Sequence, residues 1–216
     1  PYAKISLASK GRWHYAKRYL YSPDRSLDAI FNGNRHYRRN VRKVKRVLDH
    51  LGISWNSIEF DAVEHHLAHA SSAYHLSGFK EKTAILGIDG KGEFATTFFG
   101  YGENGEIHKI KEFYDPDSLG QVYATFTEYL GFEMLDGEYK VMGMAPYGDA
   151  SLHDLSRLIE FDGKEIRVNT KLVNTVGWRR YKEGSKGFYF SQERVDWLGP
   201  PRKWDIADDP SIHYAA

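Results

Sequence analysis

Two histidines and one aspartate have the types and spacing that suit a metal ion. His65 and His69 are four residues apart, and Asp89 follows about 20 residues later at the end of the apolar run TAILGID. On a helix, side chains four apart project from one face, where two imidazoles can bind a divalent cation, and a carboxylate can add an oxygen ligand. The spacing therefore predicts a metal site of His65, His69 and Asp89. The alternative is a chance pair of histidines beside an ordinary β-turn.

The histidine between them separates this pattern from a known protease motif. His66 directly follows His65, so we expect its side chain to point away from the other two on a helix. Zinc metalloproteases of the His-Glu type need a glutamate at that position as general base. The pattern therefore predicts that the metal does not serve peptide hydrolysis of this type.

Several further residues could contact an anionic ligand such as a phosphate. Gly90 and Gly92 let backbone amides approach closely, and Thr96 follows them. Ser118 and Gly120 begin a predicted helix whose free amides favour anions. Residues 137–148, GEYKVMGMAPYG, are broken enough by Gly and Pro to predict a functional loop, in which Lys140 supplies a cation and Glu138 its partner or a nucleotide contact. An ordinary turn, or a helix start whose free amides are bonded to water, would show the same sequence pattern.

The elements around these residues indicate a mixed α and β chain of α/β class. Residues 83–89 form a continuous apolar run that predicts a buried strand, and Asn104-Gly105 predicts a tight hairpin. The pattern predicts helices at 36–51, 65–76, 119–130 and 151–161, strands at 58–63, 83–89, 93–102, 106–114 and 165–169, and an irregular segment from 182 onward.

Composition narrows the class of protein. The 216 residues are 41% hydrophobic, 15% aromatic and 27% charged, which is typical of a soluble globular chain. No apolar run is long enough to predict a membrane-spanning helix. The absence of cysteine excludes disulfides, a thiolate nucleophile and Fe–S clusters, and it is compatible with the cytoplasmic location that we expect.

Charge is distributed unevenly along the chain. Residues 1–50 carry a formal charge of +10 and the remainder −9, so a basic first quarter precedes an acidic body. Residues 36–51 form an amphipathic, arginine-rich helix, and aromatic residues lie upstream. This pattern leaves open a nucleic-acid-binding module, docking against an acidic segment, or a solvated helix face. The upstream aromatic residues are Trp13, His14, Tyr15, Tyr19 and Tyr21.

Four ordered motifs carry a resemblance to a known family. They are HHLAHA at 65–70, DGKGE with ATT at 89–97, Ser118-Leu119-Gly120 with Tyr123, and GEYKVMGMAPYG at 137–148. In this order they resemble the O-carbamoyltransferases typified by the nodulation and cephamycin enzymes. The resemblance is close over about residues 62–148 and looser in the flanks.

The resemblance implies an actin/Hsp70-like (ASKHA, Kae1-like) fold, here incomplete, with a mixed sheet, a hairpin and flanking helices. In that family one domain makes carbamoyl adenylate from carbamoyl phosphate and ATP. The Kae1-like domain then transfers the carbamoyl group to a hydroxyl of a small acceptor, an antibiotic or a sugar, beside an iron-type metal, with Mg²⁺ as a further possible ion. By motif, His65, His69 and Asp89 resemble metal ligands, and the residues that resemble adenylate or nucleotide contacts are Gly90, Gly92, Thr96, Ser118, Gly120, Glu138 and Lys140.

The chain departs from the family pattern at its ends. The expected first lobe has no counterpart in PYAKISLASK, and the adenylate-forming domain would lie beyond the matching residues. We therefore expect an internal fragment, with a basic helical connecting segment at 1–60 and a partial Kae1-like domain at 61–216. Besides the substrates, the expected partner of this fragment is the remainder of the same protein. A tRNA threonylcarbamoyl transferase of the same fold is a second alternative.

Overall fold

The computed structural model describes residues 13–14, 16–18, 35–173, 180–183, 186–203 and 213–216. It is a mixed α and β structure whose helices and strands follow one another along the chain. The helices are α1 (Arg35–His50), α2 (His65–Leu76), α3 (Leu119–Tyr129), α4 (Glu138–Met144) and α5 (Gln192–Leu198). The strands are β1 (Thr83–Ile88), β2 (Ala95–Glu103), β3 (Glu106–Tyr114), β4 (Ile159–Phe161), β5 (Ile166–Val168), β6 (Arg180–Glu183) and β7 (Lys186–Ser191).

Strands β1, β2 and β3 form an antiparallel sheet in that order, and they set the position of Asp89. The predicted hairpin is confirmed, because Asn104 and Gly105 join β2 to β3 with φ angles of 53° and 81°. Both positive values match a tight hairpin turn. All strand pairs in the described part of the chain are antiparallel, so the mixed sheet that we expected is not found there.

Helix α2 packs on one face of this sheet. Ala70 and Tyr74 contact Ile85 of β1 and Phe98 of β2 in a buried cluster. The opposite face is more open, since Leu86 and Ile88 are each more than half exposed. The prediction of a buried strand at 83–89 was therefore right about the strand and wrong about its burial.

A second group of buried side chains lies behind α3. It joins Val122 and Phe126 of α3 to Leu158, Val168, Leu172 and Val173. The adjoining cluster of Tyr129, Phe188 and Phe190 attaches the β6–β7 hairpin to the same helix. Arg194 is fully buried between them, and its guanidinium donates to the carbonyl oxygens of Leu172 and Thr125 and to the Thr125 hydroxyl. These buried side chains therefore fix the position of α3, and the first turn of α3 lies next to the candidate site.

The structure confirms several predicted elements and corrects others. The helices predicted at 36–51, 65–76 and 119–130 and the strand at 165–169 are confirmed within one or two residues. Residues 58–63 form no strand, and residues 151–161 form short 3₁₀ turns followed by β4 rather than a helix. The segment from 182 onward is more regular than expected, because it contains β7 and α5. None of the helices in the described ranges is long and apolar enough to cross a membrane.

Candidate active site

The carboxylate of Asp89 and the imidazoles of α2 meet beside the end of β1. His65 Nε2 lies 2.6 Å from Asp89 Oδ2, and His69 Nε2 lies 3.6 Å from the same oxygen. The two imidazole nitrogens are 3.1 Å apart. The structure therefore brings together the three side chains that the spacing singled out.

The backbone explains this convergence. Packing of Ala70 and Tyr74 on the sheet turns the first residues of α2 towards the end of β1. The Asp89 amide donates to the Thr96 carbonyl at 2.9 Å and so continues the β1–β2 ladder to the carboxylate. A Cβ on Gly92 would lie only 3.2 Å from Cβ of His65, so glycine there leaves room for the imidazole.

The fit of a metal ion follows from these distances. The circle through His65 Nε2, His69 Nε2 and Asp89 Oδ2 has a radius of about 1.8 Å, slightly shorter than metal–imidazole bonds of about 2.0–2.1 Å. A first-row cation can thus lie within bonding distance of all three atoms at once. Nitrogen and carboxylate donors suit iron, manganese and zinc. The residues fit a divalent cation.

The electrostatics of Asp89 agree with a ligand that is ready for a cation. Burial opposes ionisation, but the hydrogen bond from His65 and the 2.6 Å hydrogen bond from the Gly90 amide together lower the pKa of Asp89. The carboxylate is therefore fully ionised at neutral pH. A cation would then replace the His65 proton that lies between His65 Nε2 and the Asp89 carboxylate.

His66 does not point away as predicted. Its side chain is almost completely buried, and Nε2 lies 3.9 Å from Asp89 Oδ2. His65, His66 and Asp89 each offer a ligand atom within 4.8 Å of the others. Burial, followed by the charge of His65, lowers the pKa of His66. The first turn of α2 therefore directs three imidazoles, not two, towards the same carboxylate.

A groove of about 860 Å³ opens beside Asp89, between the Asp89–Lys91 turn, α3 and α4. Its polar side chains include Asp89, Lys91, Asp115 and Glu138. Three carboxylates against one ammonium give the lining of the groove a formal charge of −2. Other residues that line the groove include Ile88, Leu119, Tyr123, Ala124, Met134, Leu135 and Tyr189.

The residues predicted to contact an anion divide between the groove and its supports. Gly90, Gly120 and Glu138 line the groove. Gly120 also approaches the turn very closely, since a Cβ there would lie 2.6 Å from the carbonyl carbon of Asp89. Glu138 accepts a hydrogen bond from the Leu135 amide at 2.8 Å. These positions are compatible with ligand contact, which stays a prediction.

Ser118 and Thr96 are fully buried and bond to protein groups. Ser118 Oγ donates to the Gly90 carbonyl at 2.7 Å and accepts from the Gln121 amide at 3.0 Å, which confirms it as the cap of α3. Thr96 Oγ1 donates to the Asp117 carbonyl at 2.8 Å. Both side chains therefore fix the Asp89 turn and α3 relative to each other.

The predicted loop at 137–148 is wrong for its first half. Glu138–Met144 form α4, and a 3₁₀ turn follows at Ala145–Tyr147. Gly143 is tolerated inside this helix despite its low propensity. Lys140 consequently lies outside the residues that line the groove, and its Nζ lies 5.6 Å from the centre of the Tyr139 ring.

Sequence reasoning missed the lysine that does line the groove. Lys91 Nζ lies 2.7 Å from Asp115 Oδ2, and Asp115 is almost completely buried. The side-chain amide of Gln121 donates to the other Asp115 oxygen at 3.3 Å. The position of Lys91 within the turn DGKGE was the available signal, because it directly follows the glycine after the predicted ligand.

The basic first quarter is described only in part. Helix α1 exposes Arg38, Arg39, Arg42 and Arg46. It packs on the turn Trp55–Ser57, where Lys45 Nζ lies 4.5 Å from the Trp55 ring centre. Among the aromatic residues proposed to stack on nucleic acid, Trp13 is exposed, whereas His14 Nε2 pairs with the buried Asp117 at 2.7 Å. Tyr15, Tyr19 and Tyr21 lie outside the described residues.

Comparison with known proteins identifies the class to which this fold and site belong. Residues 14–193 match the family model of the carbamoyltransferase N-terminus. The match spans most of the chain, so the chain belongs to this family, and the resemblance drawn from its motifs is confirmed.

Particular relatives agree with the family match. The nodulation protein NolNO of Sinorhizobium fredii is 40% identical over 142 residues, which are 62% of this chain and 20% of that protein. The nodulation protein NolO of Bradyrhizobium diazoefficiens is 34% identical over 142 residues, 62% of this chain and 25% of that protein. An uncharacterized protein of Methanocaldococcus jannaschii is 28% identical over 196 residues, 78% of this chain and 30% of that protein. The chain thus spans about a fifth to a third of the length of these relatives.

Proposed function

We propose that this chain supplies the metal-binding part of an O-carbamoyltransferase with an actin/Hsp70-like fold. The reaction transfers a carbamoyl group from carbamoyl adenylate, made from carbamoyl phosphate and ATP, to a hydroxyl of a small acceptor. The observation that carries the proposal is the convergence of His65, His69 and Asp89 on one point at the mouth of a groove. Family membership supports the reaction class.

The reaction requires mainly charged groups that are held in position beside the substrate. The acceptor oxygen forms a bond to the carbamoyl carbon, the bond from that carbon to the phosphate oxygen breaks, AMP leaves, and the hydroxyl proton passes to solvent. A divalent cation, here proposed as Fe²⁺, supplies a Lewis acid for the carbamoyl oxygen or the phosphate. Because AMP is a good leaving group, no covalent enzyme intermediate is required.

The residues of the chain would hold the two ends of this substrate. His65, His69 and Asp89 would hold the cation. Lys91, fixed by Asp115, presents its ammonium at the groove beside them and would contact the phosphate as a point charge. Glu138 and Gly120 also line the groove and would contact the nucleoside part of the substrate.

The charge of the groove makes the metal necessary for anion binding. The groove lining carries three carboxylates and one ammonium, so an anionic substrate would be repelled without a further cation. A bound dication would bring the lining to neutrality. We therefore expect AMP, a stable probe of the adenylate, to bind the chain only when a divalent cation is present.

The binding test is calorimetric titration of AMP with and without Co²⁺. In the double variant His65→Ala/His69→Ala, AMP affinity should fall to the metal-free level. Lys91→Ala should weaken AMP binding roughly tenfold, as expected for one charged hydrogen bond, whereas Lys140→Ala serves as the matched control and should change it little. AMP binding that is equally tight without metal would contradict the proposal.

Carbamoyl transfer itself is tested with radiolabelled carbamoyl phosphate and ATP. An adenylate-forming carbamoyltransferase domain is added in trans, together with antibiotic and sugar acceptors. The metal-loaded chain should produce labelled O-carbamate, and the double variant should not. Equal product with the double variant would remove the assigned ligands from the reaction.

A nucleic-acid-binding role for α1 is the alternative supported by a specific observation, its exposed arginines. If it holds, affinity for a single-stranded oligonucleotide falls steeply with salt and is lost when Arg38, Arg39 and Arg42 are replaced by Ala. Carbamoyl transfer should be insensitive to such an oligonucleotide. The two functions are therefore measured independently.

A further inference from the structure

His66 is a buried polar side chain whose bonding needs are not met by its surroundings. Only 2% of the residue is exposed. Neither ring nitrogen forms a hydrogen bond with any group in the described part of the chain. Buried imidazoles almost always have at least one partner, because a nitrogen removed from water loses its hydrogen bonds. The position of His66 therefore calls for a ligand.

The direction of the ring shows where that ligand would be. His66 Nε2 lies 3.9 Å from Asp89 Oδ2, which is too long for a hydrogen bond. The distance does fit two ligands of one ion, since bonds of about 2.1 Å allow separations of up to about 4.2 Å. The His66 ring stands edge-on to that of His65, with the ring centres 5.4 Å apart. The two imidazoles therefore approach the carboxylate from different directions.

Neighbouring charged groups already have partners of their own. Lys109 Nζ bonds to Glu64 and lies 2.7 Å from Glu112 Oε1, and Tyr114 donates to the other Glu112 oxygen at 3.2 Å. These four side chains bond to one another, and none of these bonds involves His66. The group nearest to Nε2 that could share a ligand with it is thus Asp89, together with the histidines bound to it.

We propose that His66 Nε2 is a further protein ligand of the divalent cation, because its ligand atom and those of His65 and Asp89 all lie within 4.8 Å of one another. The inference rests on the metal centre of the proposed function. Three imidazoles and one carboxylate form a donor set that favours Fe²⁺, Co²⁺ or Zn²⁺ over Mg²⁺, which prefers oxygen ligands and water. The centre should therefore discriminate strongly against magnesium.

The first test uses the unaltered 216-residue chain. Zn²⁺ is diamagnetic, so ¹⁵N-labelled histidines report directly which ring nitrogens bind it. We expect the Nε2 resonances of His65, His66 and His69 to shift on titration, whereas those of the exposed His75 at the other end of α2 stay in place. X-ray absorption of the same sample should show three imidazoles. Two imidazoles and an unshifted His66 would overturn the proposal.

The second test compares Co²⁺ affinity among variants. His66→Ala and His66→Gln should each weaken binding at least tenfold, with a changed visible spectrum, and His75→Ala should leave both unchanged. Circular dichroism at the titration temperature establishes that each variant is folded. If either folded His66 variant binds Co²⁺ as tightly as the parent while His65→Ala and His69→Ala lose it, His66 is not a ligand but the metal centre stands. If all of them bind normally, the metal centre of the proposed function fails as well.

Discussion

Gly120 provides the sharpest test of how the fold positions the site. A Cβ at this residue would lie 2.6 Å from the carbonyl carbon and oxygen of Asp89 and from the Gly90 nitrogen. Ordinary contacts between such atoms are about 3.5 Å, so Gly120→Ala requires a displacement of about 1 Å. The clashing atoms are backbone and cannot rotate aside. The start of α3 and the Asp89 turn must therefore move apart.

The magnitude follows from two opposing contributions. Overpacking against rigid atoms costs about 3 kcal/mol, at the upper end of the usual range. Alanine within a helix returns about 1 kcal/mol relative to glycine. We expect the free energy of unfolding to fall by about 2 kcal/mol, and Co²⁺ affinity to fall several-fold, because the Asp89 carboxylate moves with the turn.

Gly143 is the matched control for Gly120. It lies inside α4, and apart from its chain neighbours and the helix backbone no atom of the described residues lies within 4 Å of a Cβ placed there. Gly143→Ala should therefore stabilise the chain by about 0.5–1 kcal/mol, since only the helix propensity changes. The assay is urea unfolding followed by circular dichroism, with Co²⁺ titration of the same samples. If Gly120→Ala proves as stable as Gly143→Ala and binds Co²⁺ equally well, the close packing of α3 on the Asp89 turn is refuted.

Three further predictions address the supports of the site. Ser118→Ala should lower the free energy of unfolding by about 1–2 kcal/mol in urea titrations, because it removes the cap of α3 and one hydrogen bond to the Gly90 carbonyl, which keeps the Gln121 side-chain amide as donor at 3.3 Å. Ser72→Ala on the exposed face of α2 should change it by less than about 0.5 kcal/mol. Arg194→Ala should cost about 3 kcal/mol in the same assay without changing Co²⁺ affinity, since its guanidinium bonds to the Leu172 and Thr125 carbonyls and to none of the proposed metal ligands. Burial and the charge of Glu112 raise the pKa of Tyr114 to about 12 from 10.0, so the folded state holds its proton longer than the unfolded state. Stability should therefore fall as pH rises above 10.0, and Tyr114→Phe should make that fall shallower; an unchanged slope would contradict the assignment.

Local patterns predicted the elements that carry the chemistry. The hairpin followed from Asn104-Gly105, and the bounds of α2 and α3 followed from helical spacing and from Ser118 as a cap. The prediction of a loop at 137–148 was wrong for its first half because it followed the local glycine pattern, which packing outweighs. Helix α4 forms although it contains Gly143, because the side chain of Val141 in the same helix is buried.

Residue types and spacing are enough to predict the candidate metal ligands and their order along the chain. The four-residue spacing of His65 and His69 fixes a shared helix face, and the apolar run before Asp89 fixes a strand that ends in a carboxylate. Both features are local, so periodicity and residue type suffice to find them. Local patterns therefore located the candidate metal centre before any contact was known.

Which side chains share the groove depends on contacts between residues that are distant in the chain. Lys91 and Asp115 meet there across 24 residues, whereas Lys140, in a motif that carries the family resemblance, lies outside the residues that line the groove. His66 turns inward because the start of α2 is buried against the end of β1, and periodicity alone assigned it to another face. Such outcomes depend on how helices pack on the sheet, which is set by contacts between residues distant in the chain.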